Sequence, residues 1–96
     1  MNIQRHFGTA SATAVREDST IRTMIDDLGR TIQLIECDIA VEEERSGIFD
    51  PFDARYPVLA RALTARRDNL KVTIIALAQR LAAISDKARQ AIATAA

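Results

Sequence analysis

The sequence predicts an all-α protein, an antiparallel two-helix coiled-coil hairpin, and three observations carry that prediction. Two long stretches place apolar residues at alternating steps of four and three. A short break marked by glycine and proline separates them. Residues that favour sheet are scarce: 96 residues hold three glycines, two prolines and four aromatics, against plentiful Ala, Ile, Leu, Arg and Glu. A chain of this length makes one domain with one core.

The first helix carries its seam on Ile21, Ile25, Leu28, Ile32, Ile35 and Ile39. Asp18 or Ser19 is placed to cap its start, so the helix is expected over about 19–46 and residues 1–18 are a loose or frayed tail. Gly29 interrupts the pattern at a cost of about 1 kcal/mol relative to alanine, either tolerated or allowing a close backbone approach. Ser46-Gly47 stops the helix, because glycine takes the left-handed conformation that closes a helix end, and Ile48 folds back on the last turn. In the bend, 47–56, Asp50 caps a short helical turn over 51–55 with Pro51 at its first position. Pro57 then opens the second helix, about 57–93, roughly 55 Å long at 1.5 Å per residue.

The second seam runs through Tyr56, Ala60, Leu63, Arg67, Leu70, Ile74, Leu77, Leu81, Ile84, Ala88, Ala91 and Ala95. Folding about the bend sets Ile39 beside Leu63, Ile32 beside Leu70, Leu28 beside Ile74 and Ile21 beside Leu81. Carried backwards, the first seam reaches Ala14, Ser11 and Phe7, opposite Ala88, Ala91 and Ala95. Charge agrees with the pairing. Residues 22–45 hold seven acids and three bases, while residues 55–89 hold eight bases and two acids. Helices of opposite sign select each other, although single exposed pairs contribute only a few tenths of a kcal/mol.

The same composition argues against several functions. Thirteen bases balance thirteen acids, without the basic excess that phosphate neutralisation demands, so nucleic acid is not the expected partner. No apolar run approaches the roughly 20 residues of a bilayer span, so no membrane insertion is expected. The acid-poor first sixteen residues loosely resemble an organellar transit peptide, and the plainer reading is the tail of a cytosolic protein. Cys37 is the lone cysteine and His6 the lone histidine, and the latter lies in the tail. The pattern holds no nucleophile beside a base, no metal-ligand set and no glycine-rich phosphate loop. Catalytic, cofactor and metal residues are therefore expected to be none, and the chain is expected to work by contacting proteins.

Three candidate contact regions follow. The bend gathers Ile48, Phe49, Phe52 and Tyr56, which either close the end of the seam or present aromatic anchors to a partner. Arg66, Arg67, Asp68 and Asn69 form the densest polar cluster of the second helix. There Arg66 points outward, and Arg67, on the seam, is expected to snorkel towards Glu36 or another acid of the first helix. Leu34, Cys37 and Val41, with Leu59, Val72 and Ile75, make a second apolar stripe. A single hairpin cannot bury it, so the expectation is a protein partner or a homodimer forming a four-helix bundle.

Residues 35–81 resemble the α-proteobacterial members of the FliJ family, small coiled-coil proteins of flagellar type III protein export. The likeness is carried by Glu36, Asp38, Ile39, Glu42, Glu43, Arg45 and Gly47, then by Asp50-Pro51, Tyr56-Pro57, Ala60, Ala62 and Arg66-Arg67-Asp68-Asn69-Leu70. It covers about half the chain and runs across the bend without gaps. The resemblance implies an antiparallel two-helix coiled coil and a bacterial cytoplasmic accessory that engages the export ATPase complex and the export gate. Family members usually have longer helices at both ends, so the likeness fits equally an export accessory of that kind and a shortened paralogue that keeps the hairpin tip but binds something else.

Overall fold

The computed structural model describes the backbone of residues 2–95 and the side chains of residues 12–94. Two long helices, α1 (Asn2–Ser46) and α2 (Val58–Ala95), pack against each other as an all-α helical hairpin. The chain divides into two compact units, Asp27–Ile74 and the segments Met1–Asp26 with Ile75–Ala96.

The unit 27–74 holds the bend. Ile35, Ile39, Tyr56 and Ala60 form its buried cluster, and Ile48, Leu63 and Leu70 pack against it. That grouping agrees with the expected alignment of Ile39 with Leu63. Ala60 is completely enclosed. Across the helices, Glu36 lies 3.9 Å from Lys71. In the unit built from 1–26 and 75–96, Ile21 and Ile84 are buried. There Arg80 grips Glu17, with Nε and Nη2 donating to Oε1 at 2.9 and 2.6 Å.

The turn between the helices follows its sequence signals closely. Gly47 adopts φ 73° and donates its N–H to the Glu43 carbonyl at 2.9 Å, the single bond of a left-handed helix cap. The Ser46 hydroxyl accepts the next N–H, from Ile48, at 3.1 Å. Asp50 does accept a backbone N–H, that of Phe52 at 2.9 Å, but residues 51–56 form two successive turns and not a helical turn. Asp53 N–H donates to the Asp50 carbonyl and Tyr56 N–H to that of Asp53. The reason is Pro57: its ring disfavours a helical Tyr56, so the chain turns twice before α2 can start. The Pro57 carbonyl then accepts the Arg61 N–H at 3.1 Å.

The expected start of α1 needs correction. α1 does not begin near residue 19 after a loose tail over 1–18; its helical backbone starts at Asn2. Asp18 is no cap, because its carboxylate accepts from Arg22 Nε one turn on, at 3.2 Å. With alanine-rich sequence before it and no proline, nothing there ends a helix. Ala14 is half-buried, as the backward extension of the seam requires, whereas Ala88 and Ala91 are exposed; Phe7, Ser11 and Ala95 lie outside the described side chains. Of the two readings of Gly29, tolerance is the one that holds: a Cβ there meets nothing within 4 Å, so no close approach explains it.

The two glycines therefore predict opposite outcomes in urea unfolding followed by circular dichroism. Gly29→Ala should raise stability by about 0.5–1 kcal/mol, since helix propensity improves and space is free. Gly47→Ala should lower it by about 1 kcal/mol, because a Cβ is strained at positive φ.

Candidate protein-contact surfaces

The bend splits its apolar side chains into two sets. Tyr56 is 4% exposed and Ile48 half-buried, and both close the end of the seam. Phe49 is 60% and Phe52 95% exposed, on the outside of the turn. Val58, at the start of α2, is 83% exposed and was not among the residues singled out from sequence. Of the three aromatics expected here as one group, only Tyr56 serves the core.

Tyr56 is positioned by side chains of both helices. Its hydroxyl donates to Glu43 Oε2 at 3.0 Å, tying the first residue of the second seam to the last turn of α1. The Arg61 guanidinium lies 5.5 Å from the ring centroid, within cation–π range. Burial first, and then the hydrogen bond to and charge of Glu43, raise the phenol's pKa above its ordinary value of 10.0, while Thr64 and Arg61 pull it down. At the same bend the Arg55 side chain, then its backbone N–H, lower the Asp53 carboxyl.

In the 66–69 cluster, Arg67 is half-buried but does not reach across to α1. It turns to its neighbour Asp68, with Nε donating to Oδ1 at 3.2 Å. The expected partner Glu36 is instead beside Lys71, which lies one turn further along α2. Arg66 is exposed and has no hydrogen bond or ion pair among the described residues. Asn69 is exposed too, and its carbonyl accepts from the Thr73 hydroxyl. The cluster is thus a solvent-facing polar patch with one uncommitted cation, Arg66.

The second apolar stripe survives on α1 only. Leu34, Cys37 and Val41 follow at steps of three and four, all exposed, and Arg30 and Gln33 join Leu34 and Cys37 around a shallow depression. On α2 the residues Leu59, Val72 and Ile75 are also exposed. However, thirteen residues at 3.6 per turn set Leu59 about 140° round the helix from Val72, so they do not share a face. Val72 aligns more nearly with Val58, fourteen residues away, with Ala62, Ala65 and Asn69 between. A weak second seam with alanine at its centre was legible at these spacings and was overlooked because its members are small.

In the unit of residues 1–26 and 75–96, a groove of about 500 Å³ runs beside the Glu17–Arg80 pair. Ala14, Val15, Ala83, Ile84, Ala88 and Ala91 contribute to its walls, together with the charged side chains of Glu17, Asp18, Arg80 and Lys87. Among the described residues no three His, Cys, Asp or Glu side chains gather closely enough to hold a metal ion. No described helix is long and apolar enough to cross a membrane. No family model, curated protein or solved structure matches the chain.

Tyr56 is the sole tyrosine and the chain lacks tryptophan, so phenolate absorbance reports this contact alone. The folded chain should titrate at higher pH than the urea-unfolded chain, and Glu43→Gln should recover part of the difference. A phenol raised in the folded state stabilises the fold below the unfolded value, about 10, and that stability is lost as pH rises through the folded value. Equal midpoints in the folded and unfolded chains would show that the seam does not hold the hydroxyl.

Proposed function

We propose that this chain is a non-enzymatic coiled-coil adaptor that binds a protein partner through the outer side of its bend. The observation that carries the reading is Phe52, a large aromatic left 95% exposed on a turn held by its own hydrogen bonds. Phe49 and Val58 add apolar surface to the same turn, and the uncommitted Arg66 lies two helical turns beyond Val58. Exposed aromatics on a pre-ordered backbone make good anchors, because little conformational entropy remains to be lost on binding.

The family likeness of residues 35–81 supplies the partner class. It supports a role in flagellar or related type III protein export, in the cytoplasm of a bacterium, with the export ATPase complex or the export gate as target. The bend and the 66–69 cluster both fall within the segment that carries the likeness.

The test is calorimetric titration of the purified chain against the purified export ATPase complex and against the soluble part of the gate. Phe49→Ser with Phe52→Ser should weaken binding at least about tenfold, a loss of about 1.4 kcal/mol, with unchanged helical circular dichroism. Arg66→Glu should weaken it less, and more so at low salt. Binding unaffected by the double substitution, or no binding to either target, would remove this reading.

A further inference from the structure

The outer face of α1 has a composition that the hairpin itself does not use. Leu34, at 67% exposure, Cys37 and Val41, at 59%, form one apolar line two turns long. Asp38 lies four residues after Leu34 and three before Val41, and Glu44 lies three after Val41, so both carboxylates border that line. The nearby cations are already engaged. Arg30 pairs with Asp27, and Arg45 donates to Glu42 at 3.0 Å. Asp38 and Glu44 have no cation within ion-pair distance among the described residues, and Glu36, on the other side of the helix, is the one acid of this segment beside a base of α2. The result is an apolar line flanked by two uncompensated negative charges, with a shallow depression that Leu34 and Cys37 share with Gln33 and the Asp27-paired Arg30.

The geometry points to a docking face on α1 for a basic amphipathic helix of a partner protein, one with an apolar stripe bordered by Lys or Arg. Apolar side chains would cover Leu34, Cys37 and Val41 at helix spacing, and the flanking cations would meet Asp38 and Glu44. A second copy of α1 fits this face poorly, because it brings the same two carboxylates. The outward side of α2 offers less than a partner helix needs: its valines, Val58 and Val72, are fourteen residues apart with alanines and Asn69 between. This face is separate from the bend and does not depend on the role assigned to Phe52.

Cys37 sits within the line and is exposed, so its alkylation by a maleimide is a native footprint of the face. The experiment measures that rate on the full chain, alone and with a synthetic helical peptide carrying leucines on one stripe and lysines beside it. A peptide with glutamates in place of the lysines is the control. The Lys-flanked peptide should slow alkylation about tenfold at saturation and the Glu-flanked peptide should not. Asp38→Lys with Glu44→Lys should reverse that preference, while Leu34→Ser with Val41→Ser should abolish protection by either peptide. The proposal is overturned if the Lys-flanked peptide leaves the rate unchanged, or protects the Leu34/Val41 variant equally, which is charge attraction alone. It is also overturned if protection grows with the chain's own concentration in the absence of peptide, since a second copy would then occupy the face.

Discussion

Two helices share one line of contact, and every side chain on that line is covered from a single direction. That constraint governs this hairpin. In the unit 27–74 the contact is closed by Ile35, Ile39, Tyr56 and Ala60, yet no large side chain among the described residues is fully enclosed. Leu63, Leu70 and Leu28 lie on the same seam and remain half-buried. A core one side chain deep gives limited stabilisation, which makes the end of the seam disproportionately important. There Tyr56 does double duty: its ring fills the last layer, and its hydroxyl reaches back to Glu43.

The same thinness explains why so much apolar surface is left outside. A helix in a larger bundle would bury Leu34, Val41 and Val72 against third and fourth neighbours. Here each keeps more than half of its surface in water. The exposed Val72 on α2 needs no special account, since single apolar residues on a surface are common. The α1 line differs because three exposed apolar residues recur at helix spacing and, with Arg30 and Arg45 paired to Asp27 and Glu42, the unpaired charges beside it are the carboxylates of Asp38 and Glu44.

Much of this was legible in the sequence, and the failures have common physical causes. The four-three rhythm identified both helices and grouped Ile39 with Leu63, because a seam must recur at the helical period whatever else varies. Gly47 and Asp50 were legible because positive φ and an acceptor for a free N–H restrict residue choice sharply. The start of α1 was not, since Asp18 has the chemistry of a cap and of an i,i+4 ion pair alike, and only the presence of Arg22 decides between them. Arg67 failed in a related way. Several acids were within its reach, and Asp68 was favoured by being next in the chain, leaving Glu36 to Lys71. The bend aromatics failed because composition counts rings without saying which way a turn aims them.

Asp50 and Asp53 hold the turn through their side chains, and Pro57 denies Tyr56 a helical backbone. Within this geometry Tyr56 is directed inward and Phe52 outward by one set of hydrogen bonds, so the two positions are not independent. A partner gripping Phe52 pulls on a turn whose other end is Tyr56, and the phenol's bond to Glu43 is where that strain would register. Conversely, a loosened seam end would leave Phe52 on a less ordered backbone, and the entropy of ordering it would then count against binding. In the proposed role, the exposed ring could serve as an anchor because the buried one holds the turn in place.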